Sequence, residues 1–353
     1  MKNPIKNDSN EKIAIWQGIA RRSILFIASA IFLFTSGFGN TLDKDPAFAY
    51  TYTTPPHTLP TIIAHRAGTT DYPENTLLAI AGTLADKADS LWLSVQLSKD
   101  NVPVLYRPAD LATLTNASGR VVDKTADELY QLNAAWHFQS RQTDGTLTYP
   151  YRAQHVPIPS LRQALRMIPT HIPVILDMKA LPAQSLAHEV ARVLEQEHAW
   201  QRTQLYSTEA AYQQVFRHYP HARLFEAREI TRRRLAEVAL AHQCWDAPKP
   251  GTWAGFEYQR PVQLVETFTL GNGITPIVAQ LWTPDSIRCF HSKGKVYLVA
   301  FGVNTAHDYH AAACLGFDAV LVDSPKKMKE IKHQIVSSPC RISISPEGTP
   351  RQP

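Results

Sequence analysis

Short, β-branched apolar runs alternate with longer amphipathic segments between Thr61 and Asp323. The runs IIAHR, SLWLSVQLS, VPVLYR, PVILDMK, TQLYS, ARLFEA, VYLVAF and AVLVDS have the length and the Val, Ile, Leu and aromatic content of strands. Several are apolar at consecutive positions, the pattern of parallel strands covered on both faces. Helical spacing follows at TLLAIAGTLADK, SLAHEVARVLEQEH, EAAYQQVFRHY, ITRRRLAEVALAH and AHDYHAAACLG. A strand-then-helix order repeated this often predicts an α/β protein of the (β/α)8 TIM-barrel type. Two stretches hold more chain than a barrel loop needs, residues 108–160 and 244–290, and read as insertions near the mouth. Within the second, GITPIVAQL competes with ARLFEA for one strand position.

The ends follow another pattern. Lys2, Lys6, Lys12, Arg21 and Arg22 precede the uncharged run SILFIASAIFLFTSGFG, and Ala47-Phe48-Ala49 has the small residues of a cleavage site. Residues 1–49 are therefore expected to direct export, either as a cleaved signal peptide or as an anchor touching the inner membrane through residues 23–39. Arg21-Arg22 matches a twin-arginine signal loosely. Residues 50–60 read as a linker, 61–336 as the barrel and 337–353, rich in Ser and Pro, as a flexible tail. The expected location is periplasmic, or the outer side of the inner membrane.

Charge narrows the partners. The chain carries a formal +5, and residues 1–49 hold six Lys/Arg against four Asp/Glu, which leaves +3 for the rest. That is too mild for nucleic acid, and Arg232 to Arg234 read as a solvated helix face. Cys244, Cys289, Cys314 and Cys340 are widely spaced, with no CxxC pair. An exported location permits disulfides, and three complete pairings are open, as are buried free thiols.

Barrel chemistry sits where strands end at their C-termini. Those ends are polar here: His65-Arg66, Arg107, Asp177-Met178-Lys179 and Asp323. Cations beside carboxylates suit a phosphate-bearing ligand, because Arg offers a fork of donors and Lys a point charge. Asp323 alone reads as a cap of the last helix, ahead of Pro325.

The segment IIAHRAGTTDYPENTLLAI resembles the opening of the glycerophosphodiester phosphodiesterases, whose hallmark is His-Arg-Gly followed by Pro-Glu-Asn-Thr. The likeness runs on through VQLSKDNVPVLYRPADLATLTNASGRVVDKTADELYQLNA, IPSLRQAL, LDMK and LGFDAVLVDSP, roughly residues 61–325. It implies a barrel of the phospholipase-C-like type. It also implies that His65 is catalytic, that Arg66 grips phosphate, that Glu74 and Asp177 ligate a divalent cation, and that Lys179 is the lysine following on the same strand.

The departures bear on mechanism. Where the family reads Glu-x-Asp, both metal ligands, this chain has Trp92 and Ser94; where it reads His-Asp, Arg107 and Pro108; and Ala67 replaces a glycine. Mg2+ or Ca2+ is thus expected to be held weakly by Glu74 and Asp177, or not at all, since each takes six or more oxygens. Arg107 is expected on the phosphate, replacing metal charge near Trp92 and Ser94. For the missing acid the candidates are His137, His155, Tyr106 and Glu257, with Glu257, Trp92 and Ser94 taken as pocket residues. Two functions compete: a phosphoric diester hydrolase of lipid metabolism acting on glycerophosphodiesters or phospholipid headgroups, and a pseudoenzyme that only binds a phosphorylated or lipid ligand.

Overall fold

The computed structural model describes residues 51–54, 58–335 and 340–343. The export element expected at residues 1–49 lies outside them, as does most of the tail. Among the described residues no helix is long and apolar enough to cross a membrane.

Seven parallel strands make the ring: β1 Thr61–His65, β2 Ser90–Leu97, β3 Val174–Met178, β4 Thr203–Tyr206, β5 Trp253–Glu257, β6 Tyr297–Phe301 and β7 Ala319–Val322. Their neighbour order is β4-β3-β2-β1-β7-β6-β5. The gap from β4 to β5 is filled by two residues of ARLFEA, Leu224 bridging to Leu205 and Phe225 to Trp253, both parallel. The eighth stave is therefore the segment expected, reduced to a pair of bridges.

Two strand expectations need correction. VPVLYR is not a stave: Pro103–Leu105 folds back antiparallel on β2, pairing Leu105 with Val95 and Pro103 with Leu97. The link from Ser98 to Val102 is too short for anything else, because a parallel crossover needs a dozen residues or more. The stave that sequence reading overlooked is β5, in KPGTWAGFEYQRPVQ. GITPIVAQL is no stave either, since it supplies one arm of a hairpin, Arg260–Phe268 with Gly271–Ala279.

Helices cover the ring's outside: α1 Leu77–Ala85, α2 Leu161–Met167, α3 Ala183–Gln196, α4 Ala211–Val215, α5 Arg228–Ala241, α6 Pro284–His291, α7 Ala306–Leu315 and α8 Pro325–Ile335. Arg234 of α5 is buried and paired with Glu226, so only Arg232 and Arg233 of that run face solvent. The insertion at 108–160 builds a small core of its own around Tyr106, Leu111, Val121, Leu129 and Ile158.

Inside the ring, Ile63, Trp92, Ile175, Tyr206, Phe225, Val299, Phe301, Ala319 and Leu321 form one cluster. Strand alternation carries that inward face two residues on, to His65, Ser94, Asp177 and Asp323 at the C-terminal end. The large Trp92 fills the layer below, its ring 4.8 Å from Tyr206 and 5.3 Å from Phe301.

Two disulfides close outer loops, Cys244–Cys289 and Cys314–Cys340. The second ties α7 to Cys340–Ser343, a strand that pairs antiparallel with Thr51–Thr54. The start of the expected tail and part of the expected linker are thus one two-stranded ribbon.

Gly255 of β5 shows how tightly the interior is filled: an added Cβ would lie 2.4 Å from Phe301 Cζ and 3.2 Å from Phe225 Cε1. Gly255→Ala is expected to destabilise the barrel by about 1–3 kcal/mol, the usual cost of overpacking, read from the urea midpoint. Cys244→Ser with Cys289→Ser should cost about 2–4 kcal/mol in the same assay, and an unchanged midpoint would count against that cross-link.

Candidate active site

The site is built on the turn after β1. His65 is followed by three residues at positive φ, Arg66 at 50°, Ala67 at 63° and Gly68 at 90°. Two of them are not glycine, a conformation that costs on the order of 1–2 kcal/mol per residue. The turn is secured by Gly68 N–H to His65 O (2.9 Å) and Asn75 N–H to Arg66 O (2.8 Å). It swings Arg66 toward PENT, where Nη1 donates to Glu74 Oε2 at 2.6 Å.

His65 pairs with the end of the last strand. Its Nδ1 lies 2.7 Å from Asp323 Oδ1, which also accepts from Thr69 Oγ1 at 3.0 Å. Asn304 Nδ2 donates to Asp323 Oδ2 at 2.7 Å, and Asp323 N–H returns a bond to Asn304 Oδ1 at 2.8 Å. The bond from His65, with help from Asn304 and Thr69, holds the Asp323 carboxyl down at about 2, although burial opposes it. An ionised Asp323 can only accept, so Nδ1 carries a proton, and in the neutral ring the lone pair is then on Nε2. The reading of Asp323 as a helix cap is corrected here: Ser324 Oγ accepts from Lys327 N–H and caps α8.

Asp177 stands on the same inward face. Lys179 Nζ lies 2.9 Å from its Oδ1, an ion pair by distance, and Trp92 Nε1 donates to Oδ2 at 3.4 Å. Burial pushes this carboxyl up, while Lys179, Trp92 and the nearby His65 act the other way. Ser94, opposite Asp177 in the β2–β3 register, is fully buried and gives its N–H to Asn75 Oδ1.

The donor set falls short of a metal cage. Glu74 Oε1, Ser94 Oγ and Asp177 Oδ1 are buried without an aligned hydrogen bond, and each could face a ligand or water. Each carboxylate, however, already has its own cation, Arg66 or Lys179. Among the described residues, no three His, Cys, Asp or Glu at this end lie close enough to share an ion. The trio that does, His310, Cys314 and Cys340, includes both sulfurs of a disulfide and so offers no thiolate.

Other expected residues are set apart. Arg107 is exposed and has no carboxylate partner among the described residues; it lines a cleft of about 610 Å3 with Gln96, Lys99, Arg120 and Lys179. Trp92 and Ser94 are buried and do not line this cleft. Glu257 is held by Arg228 Nη2 at 2.5 and 2.7 Å and by Arg260 Nη1 at 3.1 Å, so its oxygens are taken up by two guanidinium groups. Tyr106 is buried in the insertion core, its hydroxyl donating to Asp110 O and Leu111 O. His155 bonds Tyr130 O, and His137 is exposed on the same insertion.

Sequence reading missed Tyr206 and Arg228. Tyr206 ends β4 inside the ring, and its oxygen accepts from Arg228 Nη1 at 3.3 Å. Burial raises its phenol to about 12, so it keeps its proton at neutral pH. TQLYS carries a polar group at a strand end, which was the available signal; Arg228, at the start of α5, had none.

A sequence profile of the glycerophosphoryl diester phosphodiesterase family matches residues 65–327. A protein of Mycobacterium tuberculosis is 46% identical over 274 residues, 78% of this chain and 90% of that one. The crystal structure of its glycerophosphoryl diester phosphodiesterase domain superposes with a TM-score of 0.72 at 45% identity, covering 78% of this chain and all of that domain. Glycerophosphodiester phosphodiesterase 1 of Rattus norvegicus is 33% identical over 118 residues, a span of 33% of each chain. A phosphodiesterase of Oleispira antarctica, solved with sn-glycerol-3-phosphate, shares the fold at TM-score 0.55 and 18% identity, over 78% of this chain and 97% of its own. The ring, the turn after β1 and the span of the match agree: this chain belongs to the glycerophosphoryl diester phosphodiesterase family.

Proposed function

We propose that the chain hydrolyses glycerophosphodiesters or phospholipid-derived diesters as part of lipid metabolism, using charges of its own side chains in place of the metal that the family resemblance implies. The observation that carries this reading is the Asp323–His65 pair at the mouth, with Asp177 and Lys179 beside it. A histidine fixed at Nδ1 presents Nε2 as a base for the attacking hydroxyl, either of water or of the glycerol next to the ester, the latter leaving a cyclic phosphate that water then opens. As that oxygen bonds to phosphorus, the bond to the departing alcohol breaks. Lys179 and Arg66 stabilise the growing charge on the phosphoryl oxygens. Arg107 meets the ligand from the cleft side. Tyr206, its oxygen held by Arg228, gives its proton to the departing alkoxide, a far stronger base than phenolate. The Oleispira phosphodiesterase, solved with sn-glycerol-3-phosphate, supports a small phosphate ester as the ligand class.

Both disulfides, with the basic and apolar leader, support an oxidising location outside the inner membrane.

The test is turnover of a panel of glycerophosphodiesters by the purified chain, with and without EDTA. Turnover is expected to survive EDTA and to fall by about 10²–10⁴ in His65→Ala. Loss in EDTA would restore the metal, and ligand binding without turnover would make the chain a pseudoenzyme.

A second prediction concerns Asp323→Asn. It is expected to lower kcat by about 10²–10⁴ with little change in KM, because the imidazole loses its tautomer rather than its place. The depressed carboxyl contributes stability that is fully present above the ordinary range near pH ~4 and is lost as pH falls through about 2. The stability gap between the parent and Asp323→Asn should therefore close over that window in acid unfolding curves.

A further inference from the structure

The hairpin Arg260–Phe268/Gly271–Ala279 has no role in the chemistry above. It leaves the ring directly after β5, so it rises from the C-terminal end, the end that holds His65 and Asp323. Nearly all of it is exposed, including Leu264, Val265, Ile274 and Ile277. At the tip Phe268 is 60% exposed and Leu270 99%. Across its length the only charges are Arg260 and Glu266. A bare two-stranded hairpin is marginal in water, and an apolar surface of this kind marks a partner.

The register says which kind of partner. Val262 opposite Ile277, with Leu264, lies on one face; Val265 opposite Ile274, with Val278, lies on the other. A protein groove would cover one face, whereas a lipid phase wets both. The edges point the same way. Pro261 and Pro276 fall in same-phase pairs, with Val278 and Gln263, and neither can donate to its partner, so both sit where an N–H would point outward. A proline on each edge disfavours strand addition by another chain, including a second copy of this one. Unpaired edges also keep the arm out of the hydrocarbon beyond its tip.

Charge on the other side of the mouth completes the surface. Ring order places β2 and β5 four staves apart, so the cleft beyond β2 and the hairpin beyond β5 flank the opening. Two of the cleft's cations, Lys99 and Arg107, have no carboxylate partner among the described residues. Each basic side chain near an anionic leaflet adds to its attraction.

We propose that the hairpin is a lipid-docking arm that seats the mouth of the barrel on a membrane surface bearing anionic headgroups. The proposal does not rest on turnover, and its test reads lipid contact alone. Leu270→Trp in the full chain is compared with the parent, so that the seven native tryptophans cancel. His171→Trp, in the loop entering β3 at the opposite end of the ring, serves as control. Each is mixed with phosphatidylcholine vesicles with brominated acyl chains, with or without phosphatidylglycerol. The emission added by Leu270→Trp should shift to the blue and be quenched, more strongly with phosphatidylglycerol, while that of His171→Trp should not change. Equal quenching at both positions, or at neither, would overturn the arm. Equal quenching of Leu270→Trp with and without phosphatidylglycerol would overturn the anionic surface. A blue shift without lipid that grows with protein concentration would show instead that the hairpin joins two copies of the chain.

Discussion

The bond between His65 and Asp323 joins residues 258 positions apart, and it exists only because the first stave of the ring lies beside the last. Closing a loop of that length costs chain entropy that no local contact returns. The cost is met by the whole ring, including the filled interior of Trp92, Phe225 and Phe301. Because the ring must close before the imidazole has its orienting carboxylate, packing and chemistry cannot be separated here. The β1–β7 register is what holds Asp323 against Nδ1 of His65.

A second constraint is charge balance. Glu74 and Asp177 are poorly solvated carboxylates, and a buried anion is tolerated only with a counter-charge close by. Arg66 and Lys179 supply it from within ten residues of chain, at 2.6 and 2.9 Å. On β2 the inward positions hold an indole and a hydroxyl, Trp92 and Ser94, which add no charge. Trp92 then both fills space and gives its N–H to Asp177. Matched in this way, Glu74 and Asp177 add no net negative charge to the mouth.

Much of this was legible in the sequence, and the failures have physical causes. Apolar run length located β1, β2, β3, β4, β6 and β7, because buried parallel strands read as continuous apolar segments. It misplaced Pro103–Leu105, since composition does not report direction; the length of the link after β2 does. It passed over β5, where Gly255 interrupts the pattern because Phe301 occupies the space a side chain would need. Site residues within one motif, His65 through Glu74, were readable together. Asp323, Asn304, Tyr206 and Arg228 were not, because their meaning comes from neighbours brought in by the ring. Asp323 in particular looks like a cap until the adjacent Ser324 is seen to do that work.

The most direct measurement is a crystal structure of the chain with sn-glycerol-3-phosphate, grown with Mg2+ present. A phosphate oxygen is expected within hydrogen-bond distance of Lys179 Nζ and another facing His65 Nε2 across a shared proton, with no ion between the phosphate and the carboxylates of Glu74 and Asp177. A cation bridging those two carboxylates to the phosphate, or a phosphate held away from His65, would contradict it.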